Sequence, residues 1–236
     1  MKCLNALDLK ILAMVLMLCD HAWATIIPGN EWLTSIGRLA FPIFAFQIAE
    51  GYCQTHNFKK YLGRMFFWAL VSEIPFNLMM AGGLVDPFEQ NVLFTFCEAL
   101  LFIRLLDWAK QKNIWLFAVM IPAAAFVGYF VGMFTLVDYF GSGVLMVLLF
   151  YLTHRVRWGW IVQLAGMFYI NCVLMGGMTF EIGPFAFPQQ GLALLALIPI
   201  WLYNGKQGPH SPAIRRACYA FYPLHILILS LIAMLH

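Results

Sequence analysis

Apolar runs of 17 residues or more recur from one end of this 236-residue chain to the other, and no stretch between them is long enough to fold as a separate globular unit. A helix that crosses a bilayer needs about 20 apolar residues. The runs lie near 8–27, 32–53, 60–80, 91–110, 113–129, 138–154, 158–176, 186–203 and 214–235. Turn-forming residues separate them, among them Pro28, Gly29 and Asn30, the pairs Gly82–Gly83 and Gly176–Gly177, and the stretch 205–209. Composition agrees, because only 11% of the residues are charged and 63% are hydrophobic, about half the charge of an ordinary soluble domain. The sequence predicts an all-α integral membrane protein: one domain over 1–236, built as a polytopic bundle of about nine transmembrane helices.

The basic residues orient the bundle. Lys2 precedes the first run, Lys59, Lys60 and Arg64 follow the second, Lys110 and Lys112 follow the fourth, Arg155 and Arg157 the sixth, and Lys206, Arg215 and Arg216 the eighth. The alternate connections carry acids instead, including Glu31, Asp86, Glu89 and Glu181. Under the positive-inside rule the N-terminus is cytoplasmic and the C-terminus lies outside. Residues 1–24 also mimic a cleavable leader, with Lys2, an apolar run and Ala22-Trp23-Ala24. Asp20 and His21 interrupt that pattern just before the cut, and removal of the segment would leave the remaining topology unchanged.

The formal charge of +3 is too small and too scattered to indicate a nucleic-acid partner. Six cysteines show no CxxC spacing, so neither a disulfide framework nor a metal site is expected.

Ionisable groups inside a span are costly, and their depths are informative. At 1.5 Å per residue, His21 lies roughly 20 Å above the cytoplasmic start of the first run, with Asp20 beside it. The descending second run puts Arg38 in the outer third, at the same level. Similar arithmetic places Glu73, with Pro75 and Asn77 just beyond it, and Glu98 in the outer third. Asn171, Gln189 and Gln190 lie at or above this level, and His225 falls nearer the middle. A shared cavity accounts for this convergence, although Arg38 paired with Glu73 or Glu98 could equally serve to hold helices together. Asp20 points about 100° away from His21 on the helix, so Glu73 or Glu98 is the better candidate for fixing the imidazole tautomer.

Lys10 and His21 are eleven residues apart, close to three helical turns, and share a face with Met14 and Met17 between them. Glu50, near the cytoplasmic end of the second run, is at the depth to pair with Lys10. Lys10 reads equally well as a lysine snorkelling to the interface.

The segments LMLCDH at 16–21, GRLAFPIFAFQIAEG at 37–51, SEIPF at 72–76, NVLFTF at 91–96 and FYPLHI at 221–226 resemble the TraX family over nearly the whole chain and in the right order. That family includes the F-pilin acetylase of conjugative plasmids. More distantly, Leu7-Asp8 followed by Lys10 and then His21 looks like the opening signature of the transmembrane acyltransferase-3 superfamily, where an Arg usually occupies the Lys10 position and the histidine is essential. Lys10 keeps the charge and loses the planar fork suited to phosphate. The resemblance implies a multi-pass protein of the bacterial cytoplasmic (inner) membrane that moves an acetyl group from cytoplasmic acetyl-CoA to an acceptor. A pilin N-terminal amine is the acceptor by family resemblance; a sugar or a small amine stays open.

Acyl transfer needs a base near the acceptor, donors for the developing oxyanion and a hold on an anionic nucleotide. His21 is the natural base, or the carrier in a covalent acetyl-histidine route. Arg38 is suited to the oxyanion or to balancing Asp20, Glu73 and Glu98. Lys10, Lys59, Lys60 and Arg64, with Glu50, form the cytoplasmic group for coenzyme A. Asn77, Asn171 and His225 are candidate acceptor contacts. No P-loop, GxGxxG, GxSxG, HExxH or HxxxxD pattern competes. A transporter using the polar layer as an ion path and a non-catalytic assembly factor are the alternatives, and no motif encodes an oligomeric state.

Overall fold

Asn5 begins the first helix. Its side-chain oxygen accepts from the backbone N–H groups of Leu7 and Asp8 at 2.9 and 3.1 Å, while the Asp8 carboxylate accepts from the Asn5 N–H at 2.9 Å. This reciprocal cap satisfies donors that a helix start leaves orphaned, so Asp8 of the opening signature has a structural task. A computed structural model describes residues 2–182 and 185–235.

The helices are α1 (Ala6–Thr25), α2 (Glu31–Gly37), α3 (Ala40–Gln54), α4 (Phe58–Ala81), α5 (Val92–Lys112), α6 (Ile114–Phe134), α7 (Phe140–Leu152), α8 (Gly159–Phe168), α9 (Leu197–Trp201) and α10 (Pro212–Ala233). A π-helical turn, Tyr169–Leu174, extends α8, and a 3-10 turn, Gln189–Ala196, leads into α9. Among the described residues, three stretches are long and apolar enough to cross a membrane: Glu31–Gln54, Ile114–Phe134 and Pro212–Ala233.

Each predicted run carries helix, with three local departures. The run at 32–53 breaks at Arg38 and Leu39 into α2 and α3. The run at 186–203 opens as a strand: Thr179–Ile182 and Phe185–Pro188 form an antiparallel hairpin, β1 and β2, paired from Thr179 opposite Pro188 to Ile182 opposite Phe185. Gly176 and Gly177, both at positive φ, end the preceding helix, and Pro188 at the end of β2 turns the chain inward. The run at 158–176 widens into its π turn at Asn171, whose side chain donates to the Met167 carbonyl at 2.8 Å and accepts from Gln190 at 3.0 Å.

Contacts between the ends of the runs fall into two groups. Connections expected on the basic side meet one another: Leu4 and Tyr203 form a backbone bridge, and His154 bonds to Glu50. Connections expected on the other side also meet, through the bridge between Gln90 and Val137 and the bond from Gln189 to Ser35.

The outer surface is apolar. On α6 only Ala124, Gly128 and Gly132 are buried, a stripe of small residues that lets backbones approach closely. A Cβ on Gly132 would meet the Gly141 backbone at 2.9 Å. The opposite face exposes Phe126, Phe130 and Phe134.

Candidate active site

Two histidines 204 positions apart meet in the interior: His21 Nδ1 lies 2.8 Å from His225 Nε2. The ring planes are within 1° of parallel with centroids 4.9 Å apart, the spacing of rings bonded edge to edge. The second nitrogen of His225, Nδ1, lies 2.7 Å from the Phe221 carbonyl. A carbonyl only accepts, so His225 carries its proton on Nδ1 and, when neutral, presents a lone pair on Nε2. His21 then donates from Nδ1, which leaves its own Nε2 unprotonated. Histidine tautomers are assigned from such networks, and this chain of bonds fixes His21 in the form a base or nucleophile needs.

His21 lines a cavity of about 600 Å³ with Asp20, Trp23, Arg38, Glu89, Asp138 and Tyr222. Arg38 donates to Asp20 Oδ1 at 2.7 Å and to the Thr34 carbonyl at 3.2 Å, and it also donates to the Thr34 hydroxyl. The carboxylate neighbouring His21 is therefore engaged by arginine, as its position on the helix implies. Gly37 makes this contact possible, since a Cβ there would sit 2.5 Å from the Asp20 side chain.

Sequence reasoning did not single out Glu89 and Asp138 as site residues: Glu89 lies in a connection, and Asp138 is the first residue of a predicted run and lies in the connection before α7 in the structure. Backbone bonds bring them to the cavity: Gln90 N–H donates to the Leu136 carbonyl and Asp138 N–H to the Gln90 carbonyl, both at 2.8 Å. The segment they anchor is strained, with Leu136, Tyr139 and Phe140 at φ of 56°, 62° and 44°. Tyr139 stacks on Phe41 at 3.9 Å. Burial, and then neighbouring Asp86, raise the Glu89 carboxyl above its ordinary value.

A second cavity, of about 810 Å³, lies toward the start of α1 and is lined by Lys10, Met14, Glu50, His56, Arg64 and Arg215. Met17, Phe44, Val92 and Tyr222 line both cavities. The predicted face from Lys10 to His21 thus runs from one cavity into the other.

A model of the family described as TraX protein matches residues 6–233. The chain belongs to the TraX family. A relative named probable fimbrial assembly protein FimC, serogroup H1, from Dichelobacter nodosus is 29% identical over 95% of this chain and 94% of its own length. Protein TraX of Escherichia coli is 28% identical over 63% of this chain and 56% of its own. Protein TraX of the K12 strain is 30% identical over 51% of this chain and 46% of its own, so these two matches span about half of each relative. No solved structure matches.

The TraX-like segments converge on the first cavity. LMLCDH contributes Met17, Asp20 and His21; GRLAFP contributes Gly37, Arg38 and Phe41; SEIPF contributes Phe76; NVLFTF contributes Val92; and FYPLHI contributes Tyr222.

Several expected site residues lie elsewhere. Glu73 accepts from the Asn91 side chain, which also donates to the Ala69 carbonyl at 2.9 Å. Neither Glu73 nor Glu98 lines the cavity or touches His21, so the tautomer-fixing role expected of them falls to His225. The pairing of Arg38 with Glu73 or Glu98 gives way to the pair with Asp20. Asn77 donates to the Leu84 carbonyl at 3.3 Å, and Asn171 ties two helical segments together through Gln190; both sit outside the cavity lining. Glu50 pairs with His154 at 3.1 Å and accepts from Gln54 and Tyr203 rather than from Lys10. Lys59 and Lys60 are exposed, beyond the lining of the second cavity, where Arg64 and Arg215 flank Lys10 instead.

Proposed function

We propose that this chain is a multi-pass acetyltransferase of the bacterial inner membrane, crossing it about nine times with its N-terminus in the cytoplasm. Acetyl-CoA enters from the cytoplasm into the cavity of Lys10, Arg64 and Arg215. The acceptor enters the cavity of Asp20, Arg38, Glu89 and Asp138 from the outer side. The observation that carries this reading is the bond chain from the Phe221 carbonyl through His225 to His21, which leaves Nε2 as the unprotonated nitrogen of a histidine that lines the first cavity.

His21 Nε2 acts as base for the acceptor or as the acetyl carrier, with Arg38 as a nearby cation for the oxyanion. In direct transfer the acceptor nitrogen attacks the thioester carbonyl carbon and its proton passes to Nε2. The carbon–sulfur bond then breaks with its electron pair on sulfur, and the proton moves to the thiolate to give free coenzyme A. In the carrier route Nε2 attacks the thioester carbonyl first and coenzyme A leaves as the thiolate; the acceptor amine then takes the acetyl group from nitrogen, returning the electron pair to Nε2, and the amine's proton neutralises the thiolate. Cationic side chains at the mouth of the first-entered cavity suit the phosphates of the nucleotide. The pilin N-terminal amine is the acceptor this reading favours, by resemblance to the family's pilin acetylase and by the fimbrial name of the full-length relative.

The test is release of coenzyme A by protein reconstituted in proteoliposomes with acetyl-CoA and a peptide bearing a free N-terminus. His21→Ala should abolish release; equal rates in variant and wild type would sink the mechanism.

The name of that relative supports a second reading, a non-catalytic assembly factor. In that case His21→Ala and Arg38→Ala would leave pilus assembly intact and acetyl-CoA would not bind.

A further inference from the structure

The two cavities meet at four side chains, Met17, Phe44, Val92 and Tyr222, contributed by α1, α3, α5 and α10. These residues come from four separate helices and are the only ones to line both spaces among the described residues. Together these four side chains, here called the collar, stand between the two spaces. Met17, Val92 and Tyr222 are each at least 91% buried, and all four are apolar or aromatic.

Met17 stands four residues before His21, one turn nearer the Lys10 cavity on the same face. Helical side chains lean toward the N-terminus, so the imidazole leans over Met17 from the side away from Lys10. The Tyr222 ring centroid lies 6.3 Å from that of His21 and 6.0 Å from that of His225, which places the collar directly against the histidine pair. An acyl group carried from the Lys10 cavity to His21 Nε2 must pass this ring of side chains.

We infer that the collar of Met17, Phe44, Val92 and Tyr222 is an acyl-length filter that admits an acetyl group to His21 and retards longer acyl chains. This rests on the acetyl-transfer reading above. Packed interiors tolerate an added methylene poorly, so each further carbon must displace the thioether of Met17 or the Val92 side chain, whereas the nucleotide portion stays in the Lys10 cavity and is bound alike for every chain length. Discrimination therefore resides in turnover, not in binding. One methylene in a tight apolar site is worth roughly 10- to 200-fold in selectivity.

The experiment compares acetyl-, butyryl- and hexanoyl-CoA on protein in proteoliposomes, with a free-amine peptide and glucosamine offered together as acceptors and free coenzyme A measured by chromatography. Wild type should transfer acetyl at least ~100-fold faster than butyryl while butyryl-CoA competes with acetyl-CoA at similar concentration. Met17→Ala, or Val92→Ala on a different helix, should raise the butyryl-to-acetyl ratio of kcat/KM by about 10-fold or more. Met120→Ala on α6, a residue that lines neither cavity, should leave the ratio unchanged and so control for general loosening. Wild-type transfer of all three chains at equal kcat/KM would overturn the filter, whether or not any variant folds; so would an unchanged ratio in both collar variants. Wild type that releases no coenzyme A from any donor would instead overturn the acetyl-transfer reading, and the filter with it.

Discussion

His21 Nδ1 and His225 Nε2 lie 2.8 Å apart, joining the first and last helices at one point in the interior. Because the far nitrogen of His225 faces the Phe221 carbonyl, the direction of every proton in the chain is determined. His225 never needs to touch a substrate to matter; it sets which nitrogen of His21 is free.

On the acetyl-transfer reading, replacement of His225 should therefore lower turnover while leaving the Lys10 cavity intact. His225→Ala is expected to reduce kcat by about 100-fold or more, the scale of a misaligned general base, with KM for acetyl-CoA unchanged. His225→Gln, whose amide oxygen can accept from His21 Nδ1, should recover part of the loss. Steady-state kinetics with varied acetyl-CoA distinguish this from a structural role, which would not be rescued by glutamine alone.

The contact of α2 with α1 makes a second expectation, about stability. Gly37→Ala places a methyl carbon 2.5 Å from the Asp20 side chain, so either the helices separate or Arg38 loses its partner. A loss of about 1–3 kcal/mol is expected for such overpacking. Thermal unfolding in detergent reads it, and Gly37→Ala combined with Asp20→Gly, which removes the Cβ that the new methyl meets, should cost less than the sum of the two changes.

Glu89 supplies a pH-dependent expectation. Burial and Asp86 raise its carboxyl above the ordinary value of 4.5, so the folded protein holds this proton to higher pH than the unfolded chain. Its contribution to stability is present below about pH 4.5 and is lost as pH rises through the raised folded value, with a ceiling of about 1.4 kcal/mol per pH unit for one whole proton. The melting temperature of wild type should fall over that window, and Glu89→Gln should flatten the fall. An identical profile in the variant would contradict the placement of Glu89 against the cavity.

Much of this was legible in the sequence because helical rise converts position into depth. Lys10, Met17, Asp20, His21 and Arg38 sit on the cavities as the spacing implies, and the near-100° turn between Asp20 and His21 correctly separates their partners. His225 is expected nearer the middle than His21, and it stays two residues short of His21 when both helices are counted from their true starts. The cap at Ser211 starts its helix at Pro212, so His225 lies thirteen residues in, against fifteen for His21 in α1; the ring-to-ring bond spans that offset. Glu73 and Glu98 lie outside the cavity lining, because helical rise gives depth and says nothing of azimuth. Glu89 and Asp138 were invisible as site residues because their positions depend on backbone bonds between two connections 47 residues apart, Gln90 to Val137, and no periodic pattern encodes such a pairing.

The cavity of Lys10, Arg64 and Arg215 allows the positively charged residues to be told apart by function. Lys10, Arg64 and Arg215 line it, whereas Lys59 and Lys60 face outward on the same turn of α4 that bears the topological charge. Lys10 forms no ion pair among the described residues, since Glu50 is occupied by His154, Gln54 and Tyr203. Its ammonium group is therefore available to a phosphate. Lys10→Gln should raise KM for acetyl-CoA by roughly 10-fold, the scale of one hydrogen bond to a charged group, with kcat little changed because His21 and His225 are untouched. Lys59→Gln and Lys60→Gln should shift KM by less than about threefold, the range of an exposed charge. Steady-state titration of acetyl-CoA on the three variants decides it: equal effects at all three positions would mean that the nucleotide is held by the general charge of the cytoplasmic face and not by this cavity.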